Sequence, residues 1–471
     1  MNEVVIDSLR EQANAKLDPH KKGLLGQFMT PFKIAKFMAN LFVNRNDAVL
    51  LDAGAGIGSL TVAASKVLEL KRAEAWEVDP LMVSYLQKNL AYLGVPTELH
   101  QRDFILDSVD RIQFDMGTRF THAILNPPFK KIGADSVHRQ ACRQIGLETV
   151  NLYTAFLALA ILQMQLGGEI VIIIPRSFCN GPYYKPFRDL MFAQCSIDLI
   201  HVFESRKQAF KDDDVLQENI ILKLTRGGKQ GDVILSFSQD ALFEELFRRL
   251  VPFDKIVDPV DPERFIRIPK DDACSDADVA FFTHGLSELG LEVCTGPVVD
   301  FRLKDWWCHD PQPGTVPCVY PHHFTKAGFE WPQKHKKPNA LFKSPEVEKW
   351  LMPLGVYVIV KRFSAKEERR RIVAYVVTPE DTKSDLVGFE NHWNVFHIHK
   401  NGLPLDVAKG LAAFLNSTVL DNYFRVFSGH TQVNATDLRN MKYPCLEKLS
   451  QLGRHFRHGM DQNQIDALLS L

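Results

Sequence analysis

The sequence predicts an α/β fold, a doubly wound sheet, followed by a second, mixed α+β region. Three observations carry that prediction. Between residues 48 and 224 short apolar runs alternate with helix-length amphipathic segments, the runs are continuous Ile/Val/Leu rather than alternating, and a glycine-rich turn follows the first of them. Continuous runs are what strands covered on both faces look like. Strands are expected at AVLLDA (48–53), AEAWEV (73–78), THAILN (121–126), EIVIIIP (169–175), IDLIHVF (197–203) and NIILKL (219–224). Helices are expected near 59–70, 80–92, 151–166 and 183–194. In such a sheet ligands sit at the carboxyl ends of the strands.

The flanks read differently. Residues 1–20 have the pattern of an amphipathic helix, placed to cover a pocket in the sheet domain or to close on a substrate. Beyond residue 235 the pattern is irregular: linker-like acidic sequence (DPVDPER, KDDACSDAD), then Trp- and Pro-rich stretches, then a helical tail near 407–425. A chain of 471 residues exceeds one ordinary domain. The expected division is 1–235 and 236–471.

Composition narrows the class. Hydrophobic residues make up 45% and charged residues 24%, globular values that exclude disorder, collagen and coiled coil. The most apolar stretch, 155–174, is broken by Gln163, Gln165, Gly167, Gly168 and Glu169, so no membrane span is expected. MNEVVIDSLREQ lacks the pattern of a secretory leader, and the expected compartment is the cytosol. The eight cysteines never form C-x-x-C, so reduced thiols are expected. Cys308, Cys318, His322 and His323 have the only metal-like spacing; without a ligand doublet, an aromatic and proline-rich surface loop is the plainer reading and no metal is expected. Net charge is −1, yet residues 1–300 hold 33 Lys and Arg against 40 Asp and Glu, and residues 301–471 hold 23 against 17. That split points the C-terminal third toward a polyanion.

Two motifs carry chemistry. LLDAGAGIGSL (50–60) is a strand, a glycine turn and a helix start, in which Gly54, Gly56 and Gly58 let the backbone approach a nucleoside. There is no G-K-[ST], which excludes a Walker phosphate loop. The turn gains meaning from WEVDP (76–80), where Glu77 ends the next strand, the place for a carboxylate that grips ribose hydroxyls. NPPF (126–129) ends the strand THAIL. Consecutive prolines fix φ and remove donors, so the Pro127 carbonyl and the Asn126 side-chain oxygen can offer two acceptors to one point. A planar exocyclic amine has two hydrogens to give. Pro128 stiffens the loop, and Phe129 offers a face for a base to stack on; a tight loop with a core Phe is the competing reading.

The series LGQFMTPFKIAKFMA (25–39), LDAGAGIGS, WEVDP, RDF (102–104), ILNPPF, NLYTAFLALAI (151–161), GGEIVIIIPRSF (167–178) and QAFKDDDVLQENII (208–221) resembles the Taq-type, or gamma, class of DNA adenine-N6 methyltransferases. With SGHTQVNATDLRNMKYP (428–444) it is most similar to the PstI/BsuBI modification methylases. The resemblance implies a Rossmann-like methyltransferase sheet and S-adenosylmethionine as cofactor. Thr30 and Pro31 would contact its methionine part, Asp52, Gly54 and Gly56 would lie beneath it, Glu77 and Val78 at the ribose, and Asp103 on the adenine amine. Asn126 and Pro127 would hold the target N6, with Phe129 and Phe210 sandwiching the extruded base. Met29 stands where related enzymes often carry an aromatic.

The implied substrate is double-stranded DNA with a short recognition sequence, methylated by a monomer of a restriction-modification system after the base is rotated out of the duplex. Clusters at HHFTKAGFEWPQKHKK (322–337) and VKRFSAKEERRR (360–371) are read as the DNA-facing surface. NPP-aromatic sites also serve RNA bases and a protein glutamine amide. The modification subunit of a multi-subunit restriction complex is a further alternative; such chains usually carry a long helical region before the GQF-like motif, where 25 residues precede Gly26 here.

Overall fold

The computed structural model describes residues 3–17, 29–116, 119–204, 218–269, 282–325, 328–364, 368–428 and 432–469. The chain divides into two compact units, Met1–Ile268 and Pro269–Leu471.

Nine strands form one sheet in the first unit: β1 (Ala48–Ala53), β2 (Leu70–Trp76), β3 (Thr97–His100), β4 (Phe120–Leu125), β5 (Met164–Pro175), β6 (Cys195–Phe203), β7 (Asn219–Arg226), β8 (Val233–Ser238) and β9 (Phe247–Val251). Their order is β3-β2-β1-β4-β5-β7-β6-β8-β9. Pairing is parallel from β3 through β5, whereas β7 runs antiparallel between β5 and β6, and β9 is antiparallel at the edge. The sheet is therefore mixed, which apolar runs alone do not distinguish from parallel.

Helices cover both faces. The first eight to be named are α1 (Glu3–Lys16), α2 (Phe32–Ala39), α3 (Ser59–Ser65), α4 (Pro80–Ala91), α5 (Phe104–Gln113), α6 (Val137–Gln144), α7 (Leu152–Gln163) and α8 (Lys185–Gln194). Strand β5 shows the logic: Ile170, Ile172 and Ile174 enter the core beneath α5, α7 and α8, while Val171 and Ile173 enter the one beneath α2 and α3. Helix α7 has eleven of its twelve residues buried, which explains why its apolar pattern shows no polar stripe. The expected helix 151–166 stops at Gln163, because Met164 already belongs to β5.

The expected boundary at 235 falls inside the sheet. Strand β8 pairs with β6 and carries β9, so the first unit runs on to Ile268. The sequence hides β9 because it is an edge strand, with Phe247, Arg248 and Leu250 exposed.

The second unit is mixed α+β. A four-stranded antiparallel sheet joins Glu292–Thr295, Trp393–His397, Tyr357–Lys361 and Ala374–Val377, and a five-stranded sheet is built around Thr315–Val319. Among the described residues, five helices between Leu405 and Leu469 replace the single expected tail. Leu405–Leu415 and Leu446–His455 touch backbone to backbone at two glycines: a Cβ on Gly410 would lie 1.7 Å from the Leu449 carbonyl oxygen, and one on Gly453 1.8 Å from that of Asp406. Neither neighbour can move aside without parting the helices. Gly410→Ala is accordingly expected to cost about 3 kcal/mol, read as a lower urea midpoint; a variant melting with the wild type would contradict this packing.

Two expectations for this region need correction. Cys308, Cys318 and His323 are buried, both cysteines in strands and His323 bonded to Asn339 (Nε2 to Oδ1, 2.9 Å), so the ends of the segment are sheet core, and only the Pro-rich stretch 309–314 between them is a surface loop. Burial pushes His322 and His323 down to about 4, leaving them uncharged at neutral pH. Part of the basic clusters is likewise internal: Arg371 is 1% exposed, its N–H donating to Asp421, and Arg370 donates to the Asn416 carbonyl. Lys334, Lys336 and Arg369 are exposed. Among the described residues no helix is long and apolar enough to cross a membrane.

Candidate active site

The order β2-β1-β4-β5 places β1 beside β4, where the connections leave in opposite directions along the sheet. That is the switch point at which a crevice opens beyond the carboxyl ends of the strands. The glycine turn leaves β1 there, Glu77 leaves β2, Asp103 follows β3 and Asn126 follows β4. A cavity of about 410 Å³ occupies the crevice, with Thr30, Gly54, Gly56, Glu77, Val78, Asp103, Asn126 and Pro128 in its wall. The volume lies in the range of small-molecule sites, and the rest of the wall is largely apolar, from Met29, Ile57, Trp76, Met82 and Phe156.

Each polar group is held. Glu77 is 6% exposed; its Oε2 accepts the Gly56 N–H at 2.9 Å, and its Oε1 accepts those of Val78 and Asp79, both at 2.8 Å. Burial raises its carboxyl above the usual range against the pull of these three donors. The Asp103 carboxylate caps α5 through Oδ1, which accepts from Ile105 N at 2.9 Å and Leu106 N at 3.1 Å. Its Oδ2 meets His138 Nε2 at 2.8 Å. Burial alone would raise Asp103, but the His138 bond and the capping N–H groups outweigh it and hold the carboxyl below the usual range. Asn126 donates Nδ2 to the hydroxyl of Thr30 at 2.9 Å, so the amide is oriented with Oδ1 as its acceptor end.

The matches with known proteins agree with this geometry. The N-6 DNA methylase family profile matches residues 9–235. Type II methyltransferase M.BsuBI of Bacillus subtilis is 49% identical over 472 residues, 95% of this chain and 93% of that protein. Type II methyltransferase M.PstI of Providencia stuartii is 41% identical over 494 residues, 99% and 96% respectively.

The chain belongs to the N-6 DNA methylase family.

It is an S-adenosylmethionine-dependent DNA methyltransferase of the restriction-modification type, adenine N6 being the family's target. RNA-base methylation and a subunit role are not favoured, since the match to both type II enzymes runs nearly end to end. A DrdV–DNA complex solved by cryo-EM shares the fold, with a TM-score of 0.52 at 11% identity over 93% of this chain and 57% of that one.

The methylase's residues fit its cofactor. A Cβ on Gly56 would meet no atom within 4 Å and its φ is +56°, so the turn presents bare backbone to open space. Gly54 also lines the cavity; its φ of +73° calls for glycine, and a Cβ there would sit in ordinary contact with Phe156 and Pro128. Gly58 does not line the cavity; its φ of +88° is what calls for glycine, and a Cβ there would also press on the Leu86 side chain of α4.

Not every expected residue lines the cavity. Pro31 is the N-cap residue of α2, and Asp52 lies behind the turn, 1% exposed, with Oδ2 accepting from the Thr61 hydroxyl at 2.5 Å. Burial, opposed by Thr61, pushes Asp52 up to about 7. Pro127 is buried, and Phe129 is half-buried against the core, edge-on to Tyr153 at 6.3 Å. Phe210 lies outside the described residues. Helix α1 packs Ala13, together with Leu17, against Ile57 and Met82 of the cavity wall, without lining the cavity itself.

The sequence reading missed the segment after NPPF. Lys130, Lys131, Ile132, Gly133, Ser136 and His138 all line the cavity, and the only available signal was their position directly after the motif.

Proposed function

We propose that this enzyme methylates one adenine at N6 within a short recognition sequence of double-stranded DNA, working as a monomer in the cytosol. The observation that carries the reading is the convergence of Asn126, Glu77 and Asp103 on one cavity, with the Asn126 amide oriented by Thr30. S-adenosylmethionine, when bound, supplies an electrophilic methyl carbon. Glu77 holds ribose hydroxyls, Asp103 the amine of the cofactor's adenine, and Thr30 the methionine end, with Pro31 setting the start of α2 behind it. Asp52, Gly54, Gly56 and Val78 shape the turn and the wall around it.

An adenine amine is a weak nucleophile because its lone pair is delocalised into the ring. Asn126 Oδ1 and the Pro127 carbonyl accept its two hydrogens, which favours a tetrahedral nitrogen and directs the lone pair toward the methyl. Positioned acceptors of this kind do most of the catalysis, with no covalent nucleophile. Rotating the base out of the duplex costs a few kcal/mol, and stacking on Phe129 and Phe210, worth about 1–3 kcal/mol each, offsets most of it. For Phe129 this requires its exposed side to take the base while its edge stays on Tyr153. Residues 269–471 read the sequence, with Lys334, Lys336 and Arg369 as candidates for phosphate contacts.

The test is tritium transfer from S-adenosylmethionine to duplex DNA, RNA and protein, followed by nucleoside analysis. Label is expected in DNA as N6-methyladenine. Label confined to RNA or protein would overturn the assignment.

A further inference from the structure

The segment after NPPF runs from the target-amine loop to the far end of the cavity. Ile132 N bonds to the Val150 carbonyl at 2.9 Å and Leu152 N to that of Lys130 at 2.8 Å, which ties the segment to the start of α7. It then enters α6, where Glu148 clamps Arg139 (Nε to Oε1, 2.6 Å) and Arg143 (Nε to Oε2, 2.8 Å), and Cys142 is fully buried. The helix bearing His138 is thus fixed from outside the cavity, and the imidazole reaches back to Asp103.

We propose that His138 is a positioning residue for the cofactor: its Nε2–H, donated to Asp103 Oδ2, holds that carboxylate at the angle needed to accept the exocyclic amine of the cofactor's adenine. The proposal rests on the reading of Asp103 given above. Capping of α5 uses Oδ1 alone, so the fold of α5 does not need His138. What the imidazole adds is a second anchor, which removes the carboxylate's remaining rotation and leaves Oδ2 a further lone pair for a ligand. Both side chains are about one-third exposed and both line the cavity, so the pair faces the ligand rather than the core. The Asp103 bond raises the imidazole above its ordinary value, while burial and Lys130 act against it. With Asp103 ionised at neutral pH, the bond is charge-assisted through its acceptor.

The experiment is a double-mutant cycle on the full chain, reading S-adenosylmethionine affinity by calorimetry and steady-state kinetics on duplex DNA. His138→Ala is expected to raise Kd and KM for the cofactor about tenfold with kcat and the DNA KM unchanged. His138→Gln, which retains an N–H donor, is expected to recover most of the loss. In an Asp103→Ala background the His138→Ala penalty should vanish, because the group it positions is gone. The same variant should also lose the wild type's preference for S-adenosylmethionine over an analogue carrying purine in place of adenine. If Asp103→Ala itself leaves cofactor affinity unchanged, the reading of Asp103 fails and the proposal with it. If Asp103→Ala weakens binding but His138→Ala matches wild type, or keeps its full penalty without Asp103, the positioning role alone is overturned.

Discussion

Asn126→Ala is expected to lower kcat for methyl transfer by about 10²- to 10³-fold while leaving S-adenosylmethionine affinity near the wild-type value. The side chain supplies one of two acceptors for the adenine amine, and that interaction strengthens only as the nitrogen becomes tetrahedral. Its removal should therefore appear in kcat rather than in cofactor Kd. Truncation also strips the Thr30 hydroxyl of its donor, and Thr30 is 5% exposed, so a modest loss of stability is expected alongside. Asn126→Asp tests the acceptor on its own. It retains an acceptor oxygen and can accept from the Thr30 hydroxyl, which then donates, so it should keep more activity and more stability than alanine. Single-turnover tritium transfer at saturating cofactor measures the first quantity, calorimetry the affinity and urea melts the stability. A near-normal kcat for Asn126→Ala would remove the amine-activating role assigned to this residue.

The parts of this site legible in the sequence are those where backbone geometry and chemistry coincide. A glycine turn and an Asn-Pro-Pro loop each interrupt an apolar run at its carboxyl end, and doubly wound topology brings such ends to one edge. Gly54, Glu77 and Asn126 could thus be assigned to a common crevice without knowing the strand order, and β1 indeed lies beside β4. His138 was illegible because it acts through a pairing with Asp103 across 35 positions, on a short helix whose eight residues bury only Cys142. The domain boundary escaped for a related reason: β9 is an edge strand with an arginine pair, which hydropathy reads as linker. The basic clusters misled in the other direction. Charge counting treats Arg371 and Lys334 alike, whereas one is buried beside Asp421 and the other is exposed.

Glu77→Ala should produce the largest loss of cofactor affinity in the molecule, about 10²- to 10³-fold in Kd. Two contributions add. One is loss of the carboxylate that would accept from the ribose hydroxyls, bonds worth about 1.5–3 kcal/mol each when the acceptor is charged. The other is intramolecular, since the same carboxylate satisfies the N–H groups of Gly56, Val78 and Asp79. Without it the turn keeps the bonds from Gly54 N and Ala55 N to the Trp76 carbonyl at the end of β2 but loses the one at Gly56, where no side chain can take over. Glu77→Gln keeps part of both contributions: its single amide oxygen can accept from Gly56 or from Val78 and Asp79 but not from both sides, and its nitrogen cannot accept from a hydroxyl, so its Kd should fall between alanine and wild type. The kinetic signature is the reverse of the Asn126 variant, a raised KM for S-adenosylmethionine with kcat largely recovered at saturation. Unchanged calorimetric affinity in Glu77→Ala would mean that the cofactor's ribose lies elsewhere and that Glu77 serves the glycine turn alone.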